Sequence, residues 1–314
     1  MSRIVLLSPA KLNLFLKVQN KRPDGFHNIV TLFERIDLCD EIEFRLKTGR
    51  GIDISCDHPD VPSGPKNLIY KAARLLQEEF SVQKGIKIKI KKRIPVAAGL
   101  GGGSSNGATA LLGLNRLWKL DLTRSQLLSL AKRIGSDVPF FLYDTSWALG
   151  RDRGDIIKSL NIKRKLWHIL VVPRIKMYTW KVYGGLKALH KSELASKNRS
   201  SKAVFRGRST GRAGHMNLLT KINDDVNILI HNLKKGNVLA VGQSLANDLE
   251  REIVRLSPSL ETLEKKLKSL NTKGVMISGS GPSVFGLTGT RHEAEATKAI
   301  LSKRFSRVFV VRTL

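Results

Sequence analysis

Residues 95–108 read Pro-Val-Ala-Ala-Gly-Leu-Gly-Gly-Gly-Ser-Ser-Asn-Gly-Ala, and the chemistry of that run points to phosphate. Gly99, Gly101, Gly102 and Gly103 carry no Cβ, so the backbone can turn sharply and bring its N–H groups against an anion. A helix starting just downstream would add unpaired donors and a partial positive charge. Gly102 is expected to need the room, and a left-handed backbone, where the chain approaches phosphate. Two charged residues elsewhere fit the same chemistry. Asp137 precedes Val138-Pro139-Phe140-Phe141, which puts a carboxylate at the edge of an apolar segment. Lys11 interrupts an apolar strand pattern, where a lysine is costly to bury unless paired. Phosphorylating an alcohol needs in-line placement, neutralised phosphate charge and an acceptor for the hydroxyl proton. Asp137 is a candidate base for that proton, and Lys11 a candidate cation for that charge. Taken singly, each has a plainer role: a flexible glycine loop, a turn aspartate, a lysine on a solvent face.

The flanking elements support a cradle. Ile86, Ile88 and Ile90 alternate with Lys87, Lys89 and Lys91, the period of a half-buried strand. After the serines, Ala108, Leu111, Leu112, Leu114, Leu117 and Trp118 recur at helical spacing. The loop is not a Walker A sequence, because no Lys-Ser or Lys-Thr follows the glycines. Ser104 and Asn106 stand near where a dinucleotide fold needs its last glycine.

Short strands are expected at Ile4–Leu7 and through Leu12, Leu14 and Leu16, with another at Ile42, Phe44 and Leu46. A helix is expected from about Asn67, and Thr123 with Gln126 forms a capping box for the next. The mixed, polar stretch Gly150–Leu160 is where a domain junction is expected, dividing the chain into residues 1–155 and 156–314. Leu166–Val172 reads as a buried strand and Leu260, Leu263, Leu267 and Leu270 as one face of a helix. Val275–Ile277, Val284–Leu287 and Val308–Val311 read as strands, with a helix near Glu293–Phe305 between the last two. Ser192–Gly214, rich in Lys, Arg, Ser and Gly, reads as a mobile basic insertion. Strands mixed with helices in both halves give an α+β class.

A chain of 314 residues buries a sizeable core. No apolar run approaches the roughly 18–20 residues needed to span a bilayer, and Met-Ser-Arg-Ile-Val leads into a strand pattern rather than a signal peptide. Two cysteines make no disulfide framework. A cytoplasmic protein without a membrane partner is the expectation. The net charge of +29 invites a nucleic-acid reading. Aromatics do not interleave with the basic runs, however, and no zinc-finger, zipper or RRM pattern occurs. The excess is expected to decorate a solvated surface and to assist capture of anionic small molecules. The seven histidines form no metal-ligand cluster.

The loop Gly99–Asn106 resembles the second motif of the GHMP kinases. Ser8-Pro-Ala-Lys-Leu-Asn-Leu-Phe-Leu16 is similar to their first motif, and Gly135-Ser-Asp-Val-Pro-Phe140 to their catalytic-aspartate segment. Ser278-Gly-Ser-Gly-Pro-Ser283 is similar to the third, and Asn247-Asp-Leu-Glu250 is also shared. The loop Gly99–Asn106 narrows the likeness to the branch acting on CDP-methylerythritol, and Arg22-Pro-Asp-Gly-Phe-His27 is similar to a segment of that branch. The resemblance implies an N-terminal ribosomal-S5-like domain and a C-terminal ferredoxin-like domain. It implies transfer of the γ-phosphoryl of ATP, with Mg²⁺, to the 2-hydroxyl of CDP-methylerythritol, with Lys11 and Asp137 catalytic. It implies phosphate binding by Pro95, Val96, Ala97, Ala98, Gly99, Leu100, Gly101, Gly102, Gly103, Ser104 and Ser105, with Asn67 and Lys92 near the nucleoside. Asn13 falls on a substrate position, and Phe26, His27 and Tyr183 on the cytosine clamp; Phe26 stands where Tyr is common. Thr179 is a further candidate substrate contact, and Ser280 and Gly281 belong to the third glycine turn. Alternatives are a homoserine- or mevalonate-type GHMP kinase, or a basic nucleic-acid-binding protein on the same scaffold.

Overall fold

The computed structural model describes residues 2–186 and 211–314. It separates into two compact units. One comprises residues 1–14, 18–165 and 311–314, the other residues 15–17 and 166–310. Most of the basic segment Ser192–Gly214 lies outside the described residues; its last four residues, 211–214, are helical.

In the first unit, β1 (Arg3–Lys21) and β2 (His27–Lys47) are single long strands where the sequence pattern suggested short pieces. The alternation that would have joined the pieces is hidden, because Ala10 to Leu16 are all buried, Lys11 and Asn13 included. The length of β2 serves two partners. Its first part, Thr31–Glu34, pairs antiparallel with β5 (Trp147–Arg151), and its second, Glu41–Lys47, with β4 (Gly85–Lys91). β3 (Ile52–Cys56) adds parallel to β4, and β6 (Ile156–Ser159) antiparallel to β5. Most of the stretch Gly150–Leu160 therefore lies within a β-hairpin spanning residues 147–159.

Helices α1 (Leu68–Glu79), α2 (Gly102–Trp118) and α3 (Arg124–Ile134) pack on this sheet, followed by a 3₁₀ turn at Pro139–Leu142. Ile42 and Phe44 of β2 and Ile86, Ile88 and Ile90 of β4 meet Ala72, Leu76, Ala108, Leu111 and Leu114 in one core. The lysines of β4 alternate outward, as the period of two requires. Asn67 caps α1 and the Thr123–Gln126 box caps α3, both with the expected side-chain bonds.

The second unit holds a four-stranded sheet in the order β11-β7-β10-β9, made of Val308–Arg312, Trp167–Val171, Val284–Thr288 and Gly274–Ile277. Counting these strands along the chain gives the order 4-1-3-2, with helices between the first and second and between the third and fourth. That is the ferredoxin-like split βαβ arrangement. Its helices are α4 (179–186), α5 (Gly211–Lys235), α6 (Val238–Gln243), α7 (Glu250–Leu256), α8 (Ser259–Lys268) and α9 (Arg291–Leu301). A short strand β8 (Ala246–Asn247) pairs parallel with Phe15 and Leu16, which is why those residues group with this unit. Among the described residues no helix is long and apolar enough to cross a membrane.

Candidate active site

The glycine loop joins β4 to α2. Helix α2 starts at Gly102, earlier than the apolar pattern suggested, so Ser104 and Ser105 lie in its first turn. Gly101 is the N-cap residue, in the left-handed conformation with φ 68°. The amides that follow it point along the helix start with no acceptor from a preceding turn. Positive φ falls at Ala97, Gly99 and Gly101, and not at Gly102 as expected. The loop needs glycine at both 101 and 102 for space as well. A Cβ on Gly101 would lie 2.9 Å from Lys11 Cγ and 3.1 Å from Phe141 Cζ, and one on Gly102 2.9 Å from Ile94 Cγ2. A Cβ on Gly103 would meet nothing within 4 Å, so the helix start opens on free space there. A cradle with these features fits a polyphosphate.

Lys11 lies directly against this loop. Its backbone N–H donates to Leu100 O at 3.0 Å, and its side chain packs on Gly101. The ammonium is only 4% exposed as a residue and faces Asp137 Oδ2 at 3.8 Å. It also donates to Asn13 Oδ1, and Asn13 Nδ2 donates onward to Thr31 Oγ1 at 2.7 Å. Burial pushes the Lys11 ammonium below its usual range, and the Asp137 carboxylate opposes that shift. Asp137 itself is 34% exposed, open to solvent on one side and to Lys11 on the other.

Asp137 is aimed by the turn that follows it. Phe140 of the 3₁₀ turn stacks on Phe33 of β2 at 4.8 Å between centroids, and Lys11 Nζ lies 5.9 Å from the Phe33 ring. The buried Arg35 donates to Phe140 O at 3.3 Å and to Tyr143 O at 2.6 Å, fixing the turn from below. Loop, lysine, asparagine and carboxylate thus lie together in the first unit.

Other candidates divide. Asn67 spends its amide on structure: Oδ1 accepts from Ile69 N at 2.9 Å and Nδ2 donates to Pro62 O at 2.7 Å. Lys92 is tucked under the helix start, ion-paired to the fully buried Asp40. Phe26 sits on the β1–β2 turn, 51% exposed, with the Arg153 guanidinium 5.4 Å from its ring centroid and His27 beside it at the head of β2. In the second unit, Thr179 and Ser280 share a hydrogen bond at 2.9 Å, so the first turn of α4 meets the third glycine segment. Tyr183 lies half-buried on α4. Asn247 Nδ2 donates to Ile277 O and Gly279 O at 2.9 and 2.8 Å, which explains the Asn247–Glu250 segment as a brace for that glycine turn. Among the described residues no three His, Cys, Asp or Glu side chains are grouped to hold a metal.

Sequence reasoning assigned no role to Asp40, Ser8, Asn106, Thr31 or Arg35. For Asp40 a signal existed: it shares the inward parity of Ile42 and Phe44 in β2, so a carboxylate was due to face the core.

Residues 67–145 match the GHMP kinases N terminal domain and residues 229–307 match GHMP kinases C terminal. The 4-diphosphocytidyl-2-C-methyl-D-erythritol kinase of Exiguobacterium sibiricum is 35% identical, over 99% of this chain and 98% of its own length. A crystal structure of 4-(cytidine 5'-diphospho)-2C-methyl-D-erythritol kinase superposes with a TM-score of 0.76 at 29% identity, covering 98% of both chains. A homoserine kinase from Cytophaga hutchinsonii gives a TM-score of 0.69 at 18% identity over 99% of this chain and 94% of its own, a likeness of fold alone. The kinase relatives that share both sequence and fold span the chain from end to end, and it belongs to the GHMP kinases, within the 4-diphosphocytidyl-2-C-methyl-D-erythritol kinase family.

Proposed function

We propose that the protein transfers the γ-phosphoryl group of ATP to the 2-hydroxyl of 4-diphosphocytidyl-2-C-methyl-D-erythritol, a step of non-mevalonate isoprenoid precursor synthesis. The observation that carries the reading is the buried Lys11 ammonium, set between the glycine loop and Asp137. In phosphoryl transfer the protein contributes positioning and charge more than covalent chemistry. The amides of Gly102, Gly103 and Ser104 at the helix start hold the phosphates. Asp137 accepts the proton of the 2-hydroxyl as its oxygen bonds to the γ-phosphorus. The bond from that phosphorus to the β–γ bridging oxygen breaks, and ADP leaves. Lys11 faces Asp137 and neutralises charge spreading over the transferred group. Asn13, held by Thr31, fixes the ammonium in place.

Mg²⁺ would supply charge neutralisation on the phosphates, held chiefly by them with one or two carboxylates. No protein ligand is assigned to it, since Asp137 is committed to the proton. Phe26, His27 and Tyr183 are proposed to take the cytosine by stacking and edge hydrogen bonds, with Thr179 a further substrate contact. The phosphate loop is proposed to extend from Pro95 to Ser105. Lys92 contributes charge beneath it. The cytoplasm, which holds the ATP pool, is the proposed location. The test is ADP release with CDP-methylerythritol, homoserine, mevalonate and RNA supplied in parallel. Turnover with homoserine or mevalonate in preference, or salt-sensitive RNA binding without turnover, overturns the assignment.

A further inference from the structure

One buried carboxylate ties together both ends of the glycine loop. Asp40 lies near the middle of β2 and is fully shielded from solvent. Its Oδ1 accepts from the backbone N–H groups of Arg93 and Ile94, each at 2.8 Å, immediately before Pro95 opens the loop. Its Oδ2 accepts from the Lys92 ammonium and, at 2.9 Å, from Asn106 Nδ2 in the first turns of α2. Asn106 Nδ2 also donates to Ser8 Oγ at 2.8 Å, and Ser8 Oγ donates to Ser105 Oγ at 2.8 Å. The entry strand, the exit helix and β1 are therefore tied to one charged group.

The charge itself has a reason to be there. Lys92 Nζ lies 3.1 Å from the Cβ position of Gly102, so a cation, only 5% exposed, sits against the positive end of the α2 dipole. Two like potentials at that distance are tolerable only with an anion between or beside them. Asp40 supplies it while its second oxygen fixes the strand amides. With Asp40 present, the net field at the helix start stays moderate and the loop ends keep a fixed separation. Without it, Lys92 is a buried unpaired cation and two backbone amides lose their acceptor.

We infer that Asp40 is a positioning residue for nucleotide binding: it sets the width of the phosphate cradle by holding residues 92–94 against Asn106, without touching nucleotide. The inference rests on the kinase reading, and the experiment separates the two. The dissociation constant of Mg·ATP is measured by calorimetry for the unsubstituted protein, Asp40→Asn and Asn106→Ala, alongside kcat at saturating ATP and the thermal midpoint. Failure of the unsubstituted protein to bind ATP defeats the kinase reading itself. Given that binding, Asp40→Asn is expected to weaken ATP by at least about tenfold, the scale of one lost hydrogen bond to a charged group. In the same variant kcat at saturation is expected to stay within about threefold, because a cradle of the wrong width is paid in binding before chemistry. A residue that merely supports the fold would lower the active fraction and kcat and leave the ATP affinity of the folded protein unchanged. That pattern overturns the inference. If Asp40→Asn does not fold, Asn106→Ala decides, because it removes the two bonds from Asn106 Nδ2, to Asp40 and to Ser8, and leaves the Lys92–Asp40 pair in place. A weakening of ATP by about threefold or more supports the inference, and unchanged affinity overturns it.

Discussion

Asp137→Asn keeps the shape of the proposed base and removes its charge, so it isolates what the carboxylate does. With Lys11 Nζ and Asp137 Oδ2 3.8 Å apart, the Coulomb attraction is about 4 kcal/mol at an effective dielectric of 20. Asp137 is a third exposed, and screening by water cuts that to roughly half, about 2 kcal/mol. A loss of that size alone corresponds to about thirtyfold in rate. Losing the proton acceptor adds a general-base contribution of about a hundredfold or more. The two overlap in part, so kcat is expected to fall by at least about a hundredfold, and Lys11→Met/Asp137→Asn is expected to fall further, because Lys11 also neutralises the transferred group. ATP affinity should hold within about twofold, because the loop makes its bonds elsewhere. A second readout follows from the buried lysine. Burial lowers the Lys11 pKa and Asp137 raises it back in part, so the variant lowers it further. A lysine with a folded pKa below its unfolded one loses stability as pH falls from its ordinary range through the folded value. The variant should therefore be destabilised more at neutral pH than near pH 10. Kinetics with ATP and the cytidylyl acceptor, and thermal midpoints across pH, test both halves. Near-native turnover in a folded variant would refute the role of Asp137, and a destabilisation independent of pH would refute the account of Lys11.

Gly102→Val forces a branched side chain against Ile94 and Lys92 and should abolish measurable ATP binding while circular dichroism stays native; unchanged nucleotide affinity would make the loop structural. Tyr183→Ala should cost about 1–3 kcal/mol of acceptor binding and spare ATP, and methylerythritol phosphate, which lacks the base, should be a poor acceptor; efficient use of it would show that no cytosine clamp exists. Asn67→Ala should cost about 0.5–2 kcal/mol of stability through the lost cap, with ATP affinity intact; a selective loss of ATP affinity would restore Asn67 as a nucleotide contact. In the second unit, burial first and then the Glu250 carboxylate push the Glu264 carboxyl up to about 8. The folded protein then holds a proton that the unfolded chain releases between the ordinary carboxylate range and about pH 8, so stability declines as pH rises through that window. Glu264→Gln should flatten that decline, and thermal midpoints that fall equally in both proteins would exclude the pair.

What could be read from the sequence was whatever carries a period or a local bond. The β4 strand, helices α1, α3, α8 and α9 and the Thr123 cap were legible because each is decided within a few residues, whereas α4 to α7 were not read. The glycine loop was legible because glycines crowded beside a strand signal a special backbone. The lengths of β1 and β2 were not, because a strand buried on both faces loses its alternation and because the β2 partners lie far along the chain. The start of α2 was obscured by Gly102 and Gly103, poor helix formers that occupy its first turn. Lys11 and Asp137 could be suspected individually, but their approach depends on Phe33, Phe140 and Arg35 packing from three places. Asp40 shows the general obstacle: a buried polar residue takes its meaning from partners that only the fold supplies.

The cradle is assembled from distant stretches of chain. Ser8 reaches Ser105 across 97 positions, Asn106 reaches Asp40 across 66, and Lys92 reaches Asp40 across 52. Contacts of such separation form late, after the entropy of closing large loops has been met. The segment 85–118 carries the whole glycine motif, yet excised it would lack the strands that hold its ends, and it should not bind nucleotide. During synthesis, ATP can engage only once β1 and β2 have met β4 and α2. Nucleotide present during refolding should accordingly slow unfolding far more than it speeds folding, because it recognises a feature that the transition state has yet to complete.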